Sequence, residues 1–156
     1  MAVKSSYGAA EQEIRELFGD YLEGDGGRVA LAIGAHAPSA QVRDAIEKSL
    51  EAFGYENDAC TFAALTPLDC AADEQAATLD AHALFLLVEG LDPLHVIALD
   101  RATKAALEQA YRTNYPIDAP IRVFGRSSVA FEDLDSLLQT TQGKQKAWKV
   151  LKSLKP

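Results

Sequence analysis

Cysteine, methionine and tryptophan are scarce in this chain of 156 residues, which has two, one and one of them. Cys60 and Cys70 do not form a Cys-x-x-Cys pair. Their count permits one disulfide, but in a chain read as cytosolic two free, buried thiols are the expectation. His36, His82 and His95 share no metal-ligand spacing with them or with each other, so no metal site and no cofactor is expected. No stretch approaches the roughly 20 apolar residues that a membrane-spanning helix needs, so no membrane partner is expected. The opening, MAVKSSYGAAEQEIRELF, lacks an apolar core between basic and small residues and does not read as a secretory signal. The cytoplasm is the expected compartment. Common catalytic signatures are missing too: there is no GxGxxG after a strand, no GxxxxGK[ST], no GxSxG and no HExxH.

Basic charge is scarce until the end of the chain. Residues 1–140 carry 10 Lys and Arg against 23 Asp and Glu, a net −13. Residues 141–156 carry five lysines (Lys144, Lys146, Lys149, Lys152 and Lys155) and no acid, which brings the whole chain to −8. An acidic body repels phosphate backbones and argues against general nucleic-acid affinity. The lysine stripe reads either as the solvated face of a terminal helix or as a surface for an acidic partner.

What is present is an alternation of apolar runs and amphipathic segments, with no repeat and no linker. Residues 9–23 place Ile14, Leu17, Phe18, Tyr21 and Leu22 at helical spacing, ended by Gly24 and the Gly26-Gly27 pair. VALAIG (Val29 to Gly34), ACTFAAL (Ala59 to Leu65) and HVIAL (His95 to Leu99) are continuous apolar runs, as expected of strands buried on both faces. A helix capped by Ser39 carries Val42, Ile46, Leu50 and Phe53 and stops at Gly54. Residues 68–79 read as a loop or short helix. Residues 80–92 fit a helix through Ala81, Leu84, Phe85, Val88 and Leu91, although ALFLLV alone also fits a strand. A third amphipathic helix spans 101–112, IRVFG (Ile121 to Gly125) reads as the last strand, and Phe131 to Leu138 as a short helix. A closing helix directs Trp148, Leu151 and Leu154 inward. The pattern predicts a single α/β domain: a three-layer α/β/α sandwich with a short, mainly parallel sheet of about four strands.

Ligands of such sheets bind beyond the carboxyl ends of the strands. The expected strand-end segments are Gly34-Ala35-His36-Ala37-Pro38-Ser39, Thr66-Pro67, Asp100-Arg101 and Gly125-Arg126-Ser127-Ser128. The first opens a helix, whose N-terminal N–H groups suit an anion or carbonyl, and its His36 is a candidate acid or base. In the last, Arg126 can grip a carboxylate or phosphate, with Ser127 and Ser128 as further donors. The plain alternatives are a partly exposed turn histidine and hydroxyls capping local backbone. Asp100 reads as a helix cap, His82 and His95 as core histidines, and Trp148 as core.

The order of segments over roughly residues 29–154 resembles the uracil-DNA glycosylase superfamily. In that family a buried strand ends in a GE-x-PG loop followed by a helix, and a second strand leads into a Pro-containing loop. A further helix then ends in a "P-x-hydrophobic" turn before a VIVALG-type strand and an Ala-rich helix. VALAIGAHAPS, SLEAFGY, ACTFAALTP and HALFLLVEGLDPLHVIALDRATKAALEQAY stand in that order here. The resemblance is one of layout. His36 stands in the first loop, which has no acid; Phe62 stands where an amide would read the base; Asp100 stands for the glycine after the third strand; and VFGRSS has no histidine of the HPS loop. The resemblance therefore implies the glycosylase fold without the standard excision chemistry, and a small ligand or partner bound in the cleft between GAHAPS and GRSS. Nucleic acid is a partner by resemblance and is disfavoured by charge. Two other readings stand beside it. One is an active glycosylase or hydrolase with altered chemistry using His36 and Arg126. The other is an interaction module using the basic C-terminal helix.

Overall fold

The computed structural model describes residues 6–23, 29–55, 59–68 and 78–154, with side chains from residue 12 onward. Six strands form one sheet: β1 (Leu22–Glu23), β2 (Ala30–Gly34), β3 (Cys60–Ala64), β4 (His95–Ala98), β5 (Ile121–Val123) and β6 (Arg126–Ala130). The helices are α1 (Ser6–Leu17), α2 (Ala40–Ala52), α3 (Ala81–Leu91), α4 (Arg101–Tyr111), α5 (Leu134–Leu137) and α6 (Thr141–Leu151).

The three apolar runs form fully buried strands, as their hydrophobicity predicts, and these lie side by side in the sheet. The sheet order is β1-β3-β2-β4-β6-β5. Pairing is parallel from β3 through β2 and β4 to β6, and antiparallel at both edges. Alternate strand residues enter two apolar clusters, as the period of two requires. Ala32, Phe62, Ile97 and Val129 join Ile46 and Leu50 of α2 and Leu151 of α6 in one. Leu31, Ile33, Ala63 and Val96 join Leu84 and Val88 of α3 and Leu107 of α4 in the other.

The helices begin where short polar side chains can satisfy free N–H groups. Ser39 accepts from Val42 N (3.2 Å), Asp80 from Ala83 N (2.7 Å), Asp100 from Thr103 N (2.8 Å) and Thr140 from Gly143 N (2.9 Å). Helix α3 covers the ambiguous residues 83–88 and ends on Asp92 in the left-handed region (φ 49°). Among the described residues no helix is long and apolar enough to cross a membrane.

Several sequence expectations need correction. The sheet has six strands rather than about four, and it is mixed, with a parallel core of four and one antiparallel strand at each edge. IRVFG is not the last strand but the outer arm of a hairpin whose inner arm, β6, carries the parallel pairing to β4. Phe124 (φ 51°) and Gly125 (φ 81°) form its two-residue turn, the positive-φ pair that matches the twist of a hairpin. The first helix stops at Leu17. A short 3-10 turn over Gly19–Tyr21 then leads into β1, which contains Leu22. Trp148 is 42% exposed rather than core, because Gly143, Ala147, Val150 and Leu151 form the buried stripe of α6. His82 is exposed. Cys60 is a free buried thiol, and burial pushes its pKa up to about 12. Cys70, the glycines at 24, 26 and 27, and residues 69–77 of the 68–79 segment lie outside the described residues.

Candidate functional site

The loops after β2 and β4 leave neighbouring parallel strands at the point where the strand order reverses, since β3 lies on one side of β2 and β6 on the other side of β4. Such a switch point is where open parallel sheets form a crevice. A cavity of about 210 Å³ lies there, lined by Gly34, His36 to Ser39, Val42, Leu99, Asp100, Asp133 and Asp135.

Each wall has a local cause. Gly34 ends β2 with no room to spare: a Cβ there would stand 3.0 Å from the His36 carbonyl oxygen and 3.5 Å from Asp100 Oδ2. The loop can therefore fold back on Asp100, whose Oδ2 accepts from the Ala35 N–H at 2.8 Å. Asp100 Oδ1 caps α4. On the other side, Thr66 Oγ1 donates to the Ala35 carbonyl (3.1 Å) and lies 3.3 Å from His36 Nδ1. Arg43 holds the loop from below: its Nε donates to the Pro38 carbonyl (3.1 Å), its guanidinium pairs with Glu23, and it lies 5.7 Å from the centroid of the Phe62 ring. His36 and Ser39 are exposed at the rim.

The third wall comes from residues that sequence reasoning missed. After β6 the chain runs through Phe131 to Asp133, which bridges to Asp100. Asp133 spends both oxygens on Ser136, accepting from its N–H (3.2 Å) and its hydroxyl (2.8 Å). Asp135 Oδ1 accepts from Ser39 Oγ at 2.8 Å. Asp133 and Asp135 were legible only as a helix start, Asp133 capping three residues ahead of Ser136. Their place in the cavity depends on which segment carries the last parallel strand. Among the described residues no group of three or more His, Cys, Asp or Glu could hold a metal ion.

Gly125, Arg126, Ser127 and Ser128 are at the other end of the sheet. Ser127 pairs with His95, the first residue of β4, whereas Gly34 and Ala98 lie at the carboxyl ends. The cleft expected between GAHAPS and GRSS therefore does not form, because GRSS starts the inner hairpin strand instead of following a strand. Arg126 is 8% exposed and fully engaged. It pairs with Glu89, donates to Asp92 Oδ1 (2.8 Å) and donates from Nε to the Pro93 carbonyl (3.0 Å). Burial opposes its charge, but the two carboxylates outweigh that and hold its pKa above the ordinary arginine value. Tyr111 donates its hydroxyl to Glu89 at 2.5 Å, and burial, followed by that carboxylate, raises the phenol's pKa. Ser128 Oγ is buried with no hydrogen-bond partner among the described residues.

His95 is buried at the same end. Its Nε2 lies within hydrogen-bond distance of the Tyr55 hydroxyl (3.0 Å), which also lies 3.3 Å from the Leu154 carbonyl oxygen. Burial, then the charge of Arg122, lower the pKa of His95. This histidine ties the Tyr55 segment and the C-terminal turn to β4 and does not face the cavity.

No protein-family model matches the chain, and no curated protein matches it.

Proposed function

We propose that this chain is a small-ligand-binding domain of the uracil-DNA glycosylase layout, an α/β/α sandwich without the standard excision chemistry. Its ligand is a compact molecule bearing positive charge or several hydrogen-bond donors, taken up in the cavity between the β2 and β4 loops. The observation that carries this reading is the set of three aspartates, Asp100, Asp133 and Asp135, around a cavity at the switch point of the sheet. Carboxylates converging on a partly enclosed site focus a negative potential, which attracts cations and repels phosphates. The segment order supports the layout, from β2 and α2 through the Pro93 turn into β4 and α4.

Binding suits this cavity better than catalysis does. Excision needs a carboxylate free to position water and a donor aimed at the departing base. Asp100 gives both oxygens to backbone N–H groups. Arg126 is buried among its own partners at the opposite end of the sheet, so His36 and Arg126 do not meet on one ligand.

The test is an amide-resolved NMR titration with putrescine, glutarate and uracil as probes. Putrescine is expected to shift the Ala35, His36 and Ser39 amides saturably, and Asp135→Asn to weaken it. Tighter binding of glutarate, or no response to putrescine, overturns the reading. Base release from a uracil-containing single-stranded oligonucleotide at low salt is expected to be nil. Release that His36→Ala removes would make the chain an active glycosylase instead.

A further inference from the structure

A second concavity lies between α2 and α6, with an open volume of about 290 Å³. It shares no lining residue with the strand-end cavity. Gln41 stands at its edge, donating to the Leu138 carbonyl (3.1 Å) and accepting from Gln139 Nε2 (3.1 Å). The floor is apolar, made by Ala45, Leu138, Ala147 and Leu151. One wall is Trp148, the only tryptophan of the chain. Its ring centroid lies 5.2 Å from that of Phe53, yet the residue remains 42% exposed.

Lysines rim this apolar floor. Lys144 and Trp148, four residues apart on one face of α6, line one side and Lys48 lines the α2 side, while Lys152 stands exposed just beyond the groove, in the 3-10 turn that follows α6. Lys48 pairs with Asp44 (3.0 Å) and Lys146 with Asp118 (2.9 Å). Lys144, Lys149 and Lys152 have no ion-pair partner among the described residues. Unpaired lysines gathered on one helix of a chain carrying −8, beside an exposed tryptophan and an apolar floor, are complementary to one kind of surface.

We propose that this groove docks a short acidic segment of a partner protein. An aliphatic or aromatic side chain of the segment seats against Trp148 and Ala147, and its carboxylates meet Lys144 and Lys152. The volume falls just below the roughly 300–1,000 Å³ of small-molecule pockets and suits anchor side chains. A helix laid in an apolar groove with one aromatic anchor is a recurrent recognition mode. A second copy of this chain fits less well, because a two-fold contact through this patch sets the lysine row against itself. Single-stranded nucleic acid needs a continuous basic track with successive stacking platforms, whereas Trp148 is the one aromatic side chain lining this groove.

Trp148 reports directly on the site. The probe is a helix-forming peptide of about 15 residues with leucines at i and i+4 and glutamates on both flanks. Its counterpart carries lysine for every glutamate, and oligothymidylate and phosphatidylserine vesicles serve as the other arms. The acidic peptide is expected to shift the tryptophan emission to the blue saturably, and added salt to weaken it. The Lys144→Glu, Lys152→Glu double variant is expected to weaken binding on the order of tenfold. Both positions are exposed, and circular dichroism verifies the fold of the variant. Lys146→Glu, off the row, is expected to bind as the parent does. No saturable shift, equal binding of the lysine peptide, tighter binding of the oligonucleotide or vesicle, or a shift explained by self-association in sedimentation would each overturn the proposal.

Discussion

Asp100 and Ala35 are 65 residues apart and joined by a 2.8 Å hydrogen bond from the Ala35 N–H to the Asp100 carboxylate. The same carboxylate caps α4 through Thr103. One side chain thus sets both a helix start and the backward fold of the loop that forms the cavity wall, so its loss should be felt in stability and in binding together.

Asp100→Ala removes a cap, worth about 1 kcal/mol, and leaves the Ala35 N–H without its charged acceptor, worth a further ~2 kcal/mol. The expected loss is about 3 kcal/mol in urea unfolding, with the slope unchanged. In the same variant the putrescine response at Ala35 and His36 is expected to disappear. Unchanged stability would mean that the loop holds its shape without this tie.

Arg126→Ala should destabilise the fold by about 3 kcal/mol, because it strands Glu89 and the Pro93 carbonyl around a vacated charge site. Arg126→Lys should recover part of this, since an ammonium cannot engage all three partners in the planar fork geometry. Neither variant should alter probe binding at the strand-end cavity under conditions where it remains folded. An equal loss of stability and binding across the series would show that the two ends of the sheet communicate.

His95 makes stability depend on pH in a defined direction. Its pKa is lowered in the folded chain, by burial first and by Arg122 second, so the unfolded chain takes up the proton more readily. Nothing is lost above about pH 7. Stability falls as the pH drops below the unfolded value of about 6.5 and levels off once the folded-state value is passed. Thermal unfolding at pH 7.5, 6.5 and 5.5 should show this slope, and His95→Gln, which keeps a hydrogen-bonding group for Tyr55, should flatten it. A slope unaffected by the substitution would assign it to other groups.

Gly143 supports the groove from within. A Cβ there would stand 1.8 Å from the Leu137 carbonyl oxygen. Alanine gains about 1 kcal/mol of helix propensity over glycine, yet Gly143→Ala is expected to destabilise by about 2 kcal/mol overall, because backbone must move. The displaced α6 should also change the emission of Trp148. A stabilised variant would mean that α5 and α6 separate without cost.

Much of the fold was legible where the signal is local. The apolar runs at 30–34, 60–64 and 95–98 became adjacent parallel strands, and Ser39 and Asp100 became the caps they were read as. Half of the candidate site followed, since Gly34 and His36 to Ser39 line the cavity. The other half failed at one hairpin. Arg126, Ser127 and Ser128 are polar, so β6 reads as a loop, and the turn Phe124-Gly125 lacks the usual Asn-Gly or Asp-Gly signal. Because the inner strand β6 starts at Arg126, five residues after Ile121, GRSS lies at the opposite end of the sheet from Gly34, and Asp133 and Asp135 follow the strand into the cavity. Trp148 was misplaced for a different reason: Ala147, Val150 and Leu151 already fill the inward stripe of α6.

By itself the sequence determined which segments are apolar enough to be buried and where most helices begin, because burial period and capping act within a turn or two of chain. The tertiary structure decided which strand ends meet. Ser39 reaches Asp135 across 96 residues, and Arg126 finds Glu89 across 37. Contacts at such separations depend on the pairing order of the whole sheet. That order decided that Arg126 is held as a buried ion pair, while three aspartates gather at the switch point.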